Sequence, residues 1–115
     1  MYDIPVDLDL GMLESLKELL ADKFIELVNT YNSDSQRRMD LIREAFTGPD
    51  FDTIKNEAHG LKGSSRNVGA NSLATLCGEM ESKAKAQDGS DMEPLFAAVE
   101  QHFAAISGQL RELIT

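Results

Sequence analysis

Residues 51–70 read FDTIKNEAHGLKGSSRNVGA. Phe51, Ile54, Ala58, Leu61 and Val68 fall three, four and seven positions apart, the repeat of a helix that buries one face. Gly60, Gly63, Ser64 and Ser65 interrupt that pattern chemically rather than periodically. Glycine costs a helix interior about 1 kcal/mol relative to alanine, and serine several tenths. A helix weakened in this way around a single histidine, His59, serves something besides its own stability. At 100° per residue His59 lies about 130° from the centre of the apolar stripe, so it faces solvent.

The same periodicity extends in both directions from this segment. Turn chemistry is confined to TGPD at 47–50, NVGAN at 67–71 and QDGSD at 87–91. Asp50 and Asp91 stand where a helix N-cap is required. Phe24, Leu27, Val28, Tyr31, Met39, Ile42 and Phe46 form one stripe; Leu73, Leu76, Met80 and Ala84 a second; Leu95, Val99, Phe103, Ile106, Leu110 and Ile114 a third. A shorter leucine-rich helix is predicted over Leu10–Leu20. No segment alternates as a strand does. Long amphipathic helices with short connections predict an all-α fold, an antiparallel up-down four-helix bundle with a short N-terminal capping helix, and one domain over residues 1–115.

Composition narrows the function. The chain of 115 residues has room for one core. With 20 acidic against 11 basic residues, a formal net charge of -9, it would be repelled by a phosphate backbone, which excludes nonspecific nucleic-acid binding. Cys77 is the only cysteine and no Cys/His pair has metal-site spacing, so no metal is expected and a reducing, cytoplasmic setting is. Neither a signal peptide nor a membrane-spanning run is expected from the pattern. A GxxxxGK[ST] loop is missing, which argues against phosphorylation from ATP.

Around His59 the sign of charge reverses. Lys55 lies one turn before it, Lys62 and Gly63 one turn after, and Arg66 two turns after. Helix side chains lean toward the N-terminus, so the side chain missing at Gly63 would otherwise cover the imidazole. A largely neutral imidazole offers a lone pair at pH 7, and neighbouring cations suit a product that carries negative charge.

The string AHGLKGSSRNVGANSLATLCGEME, residues 58–81, resembles the signature of histidine-containing phosphotransfer (HPt) domains, within a signature region spanning 51–86. The resemblance implies that His59 accepts a phosphoryl group from an aspartyl phosphate on the receiver domain of a hybrid sensor kinase and relays it to the receiver of a response regulator. The helical positions and charges then put Lys62 and Gly63 at the reacting centre, with Lys55 and Arg66 near the phosphate. The cofactor expectation is none on this chain, Mg²⁺ being carried by the partner receiver; the protein is expected as a monomer and a phosphotransfer intermediate rather than an autonomous enzyme. The N-terminal helix joins the docking surface by the same resemblance, and its surplus of leucines singles out Leu13 and Leu16 as exposed anchors.

The competing readings are a noncatalytic helical adaptor and a metal-dependent hydrolase; the present histidine, lysine and glycine argue against the first, and missing ligands against the second. His102 lacks cations and an i+4 glycine and is read as structural, as is Cys77. Gly60 receives no role of its own. Arg37 and Arg38 divide between solvated charge and receiver-facing rim.

Overall fold

Each break in the apolar pattern becomes a connection between helices. The computed structural model describes residues 4–115. They form α1 (Leu10–Leu20), α2 (Lys23–Ala45), α3 (Phe51–Asn67), α4 (Asn71–Lys85) and α5 (Met92–Leu113), with no strand among the described residues. α2 packs on α3, α3 on α4, α4 on α5 and α5 back on α2, so the four long helices close a ring around one core. The molecule is 43 Å in its longest extent, a little more than the roughly 35 Å that α2 covers at 1.5 Å per residue. Among the described residues, no helix is long and apolar enough to cross a membrane.

The core follows the stripes. Phe24, Val28, Tyr31, Met39 and Ile42 of α2 meet Ile54, Ala58 and Leu61 of α3, Leu73, Leu76, Cys77 and Met80 of α4, and Leu95, Val99, Phe103, Ile106 and Leu110 of α5, all buried. Each large apolar side chain so buried contributes about 1.5–3 kcal/mol before entropy is counted. Leu27, Phe46 and Phe51 are only partly covered. Ser65 is fully buried and shares a 2.9 Å hydrogen bond with the Tyr31 hydroxyl, which lets α3 carry a polar residue on its inner face. Burial pushes the Tyr31 phenol up to about 12, so it is a permanent hydrogen-bonding group.

Asp50 caps α3 as its position predicts: one carboxylate oxygen accepts from the Thr53 amide at 3.1 Å and the other from the Thr53 hydroxyl at 2.6 Å. Asp91 does not cap α5. It adopts the left-handed backbone conformation, φ 57°, and makes no side-chain cap hydrogen bond, because an N-cap carboxylate reaches the first-turn amides from an extended backbone.

The larger departure concerns α1. Leu13, expected as an exposed anchor, is 1% exposed and belongs to the core. Leu16 and Leu20 pack half-buried beside it, and the leucines left to solvent are Leu10 and Leu19, the latter 80% exposed. Leu13 and Leu20 are seven residues apart and so share one line along the helix, whereas Leu19 is rotated about 100° away. What fixes that rotation is the extended segment before α1. Asp9 caps α1 through the Met12 amide at 3.0 Å and donates its own backbone N–H to the Gly69 carbonyl at 3.0 Å. The Asp7 carboxylate accepts from the Ser72 amide at 2.8 Å, serving α4, whose own N-cap residue, Ala70, has no side-chain oxygen. His102, buried, hydrogen-bonds the Ile4 carbonyl through Nε2 at 2.8 Å, and its role is structural. Gly69 is held at φ 76°, and a Cβ added there would lie 2.8 Å from the Asp9 Cβ. At the other end of α1, Lys17 Nζ donates to the Leu113 carbonyl at 2.9 Å.

Candidate functional site

The apolar face of α3 is spent on the core, which leaves His59 on the outside with a 68% exposed side chain. Its ring is nevertheless held. Nδ1 lies 2.8 Å from Oε2 of Glu81 on α4, and the other oxygen of that carboxylate accepts from Lys62 Nζ at 2.5 Å. A carboxylate only accepts, so Nδ1 is the donor in this contact, and in the neutral ring the lone pair is then on Nε2. The group bonded to the imidazole is an anion, whereas the charges on its own helix predict cations alone.

Lys62 is set by the same carboxylate. Its aliphatic stem runs past Gly78 of α4, where an added Cβ would sit 3.4 Å from the lysine Cδ, an ordinary van der Waals contact. Lys62 and Glu81 are each about a fifth exposed, enough for the ammonium to meet an incoming anion. Lys62, ahead of the smaller effect of His59, holds the Glu81 carboxyl below the usual carboxylate range, against the opposing pull of partial burial. A group that ionises more readily folded than unfolded adds stability above its ordinary value near 4.5, and that stability is lost as pH falls below it. Comparing melting temperature with pH for wild type and Glu81→Gln should therefore show a shallower acid limb in the variant below about pH 4.5, with the two curves parallel from there to neutrality.

Gly63 meets nothing: a Cβ built on it has no neighbouring atom within 4 Å. The space over His59 on that side is open. Lys55 is half-buried one turn earlier and pairs loosely with Asp52 at 3.8 Å, while Arg66 is exposed near the end of α3. Ser64 donates to the Gly60 carbonyl at 3.1 Å, a bond internal to the helix. Of the residues singled out from sequence, His59, Lys62, Gly63, Lys55 and Arg66 share the outer side of α3; Leu16 stands on α1, and Leu13 is not at the surface.

One glycine acquires a reason that α3 alone does not disclose. Gly60 gives room to Arg38 of α2, whose guanidinium lies so close that an added Cβ would be 2.2 Å from Nη1 and 2.4 Å from Cζ. Arg38 in turn bonds Asp34 and Glu57, each at 2.9 Å, so it ties α2 to the turn of α3 that carries His59. Cys77, buried, has its thiol pushed up to about 12 and offers no nucleophile. Among the described residues no cluster of His, Cys, Asp and Glu could hold a metal ion.

Comparison with known proteins bears on the family and the fold. The Hpt domain family matches residues 26–113. The crystal structure of histidine-containing phosphotransfer protein B from Pseudomonas aeruginosa PAO1 superposes with a TM-score of 0.87 at 30% identity, over 91% of each chain. A histidine-containing phosphotransfer protein from rice shares the fold at 23% identity, TM-score 0.77, over 94% of this chain and 85% of its own. No curated protein matches by sequence alone.

Proposed function

The chain belongs to the Hpt domain family, whose members pass phosphoryl groups in phosphorelays, and from that premise we propose that His59 is its phosphoryl carrier. Nε2 attacks the phosphorus of an aspartyl phosphate on a receiver domain; the Nε2–P bond forms as the P–O bond breaks, and the aspartate leaves as a carboxylate. No proton has to move. The ring keeps its hydrogen on Nδ1 and gains positive charge, which the Glu81 carboxylate at 2.8 Å balances. Lys62 turns from Glu81 toward the phosphoryl oxygens, and Arg66 and Lys55 lower the local negative potential. The reverse sequence delivers the group to the next receiver. The observation that carries this reading is an exposed histidine whose Nδ1 is occupied and whose Nε2 is free, with an ammonium alongside and an empty position above.

The donor is read as the receiver of a hybrid sensor kinase and the acceptor as that of a response regulator, in the cytoplasm, with this chain a monomer. It is a transfer intermediate; any Mg²⁺ belongs to the receiver. Residues 1–115 are read as one domain, an antiparallel up-down bundle of α2–α5 with α1 across one end. Its support is the register of the contacts: Tyr31 meets Ser65 and Arg38 meets Glu57, then His59 meets Glu81 and Lys62 passes Gly78, numbers falling on one helix as they rise on the next. Receiver docking is assigned to the strip of Met12, Leu16 and Leu19, four and three residues apart on α1 and on the flank where Met12 nears Gly69.

Incubation with a phosphorylated receiver tests the reading: an acid-labile label on this chain supports it, and its failure to appear with every receiver of the source organism would end it. Access over the ring has its own test. Gly63→Gln should slow receiver transfer at least about tenfold by filling the open side, yet raise stability by about half a kcal/mol through helix propensity. A loss of melting temperature in that variant would mean that Gly63 is a packing residue.

A further inference from the structure

The α4 side of His59 is accounted for by Glu81 and Lys62; the α2 side presents a second, independent arrangement. The Arg38 guanidinium occupies the space that a Cβ on Gly60, the residue next to His59, would need. Nε is fixed by Asp34 and Nη1 by Glu57, each at 2.9 Å, and Asp34 also accepts from Arg37 at 2.8 Å. Nη2 has no hydrogen-bond partner among the described residues, and the side chain is a quarter exposed. A strut between two carboxylates would be complete with the bonds at Nε and Nη1, and would not require a glycine beneath it in the middle of a helix.

We propose that Arg38 is a docking residue for the receiver domain on the α2 side of His59, presenting Nη2 to an oxygen acceptor on the receiver; the proposal rests on the phosphotransfer reading above. Three features favour that partner. The guanidinium is pre-organised by Asp34 and Glu57, so little rotamer freedom is lost when a further acceptor arrives. Its position beside His59 places it within the footprint of any domain that brings a phosphoryl group to Nε2. The two carboxylates are matched by Arg37 and Arg38, so this rim is locally neutral on a chain of net charge -9 and does not repel an acidic, phosphorylated partner.

Two variants separate docking from mere bracing. Gly60→Ala removes no charge but displaces the guanidinium, and Arg38→Lys keeps the charge but loses the fork. With the receiver that the wild-type chain empties fastest, each should raise the half-saturating receiver concentration about tenfold while the saturating rate stays within about twofold. The melting temperature of Gly60→Ala should not fall. Unchanged half-saturation in both variants would overturn the proposal and leave Arg38 a strut. A fall in saturating rate at unchanged half-saturation would overturn it too, since Arg38 would then act through the histidine's turn. If the wild-type chain takes phosphoryl from no receiver, the phosphotransfer reading fails first, visible before any variant is made, and this proposal falls with it.

Discussion

His59→Gln should abolish phosphoryl uptake from a phosphorylated receiver, to below detection, while the melting curve stays where it was. Glutamine lacks the imidazole lone pair, and no second side chain can take over: His102 is 4% exposed with Nε2 committed to the Ile4 carbonyl, and burial holds the Cys77 thiol in its neutral form. The fold loses little, because the His59 side chain is 68% exposed and Glu81 keeps Lys62 as its partner. Surface changes of this kind stay within about 0.5 kcal/mol. Radiolabel transfer with parallel thermal melts reads both halves, and label retained in the variant or found on His102 would remove His59 as the carrier.

The second large effect is on stability, and it divides two leucines six residues apart. Leu13→Ala should cost about 2–5 kcal/mol, the range for emptying a fully buried leucine site, out of a total that for a domain of this size is about 5–15 kcal/mol. Leu19→Ser should leave stability within about 0.5 kcal/mol yet weaken receiver binding, since Leu19 is 80% exposed beside the half-buried Met12 and Leu16. Urea titrations measure the first and receiver binding the second. Equal stability losses in both variants would mean that α1 turns a different face to the bundle.

That contrast also marks what can be read from sequence. The five helices are legible because a period of three and four needs only neighbours on one chain, and Asp50 is legible because its cap is local. The exposure of His59 follows from the wheel, and the open space at Gly63 from the same reasoning. Leu13 against Leu19 is not legible: which leucine turns inward depends on the rotation of α1 about its axis, and that is set by Asp9 against Gly69 and by Lys17 against Leu113, contacts between distant segments. Glu81 and Gly60 are obscure for the same reason. Each answers to a residue on another helix, and only the register of α4 and α2 against α3 brings His59 and Arg38 to them.

The segment ahead of α1 decides where this protein can be cut without loss. The span that matches the family begins at residue 26, yet the amide of Ser72 is satisfied by Asp7 and the carbonyl of Gly69 by Asp9, both earlier in the chain. A chain trimmed to 26–113 would keep His59, Lys62 and Glu81 but would strip α4 of its borrowed cap, worth about 1 kcal/mol, and uncover the apolar surface beneath Leu13. Minimal versions of this chain should therefore begin ahead of Asp7 rather than at residue 26.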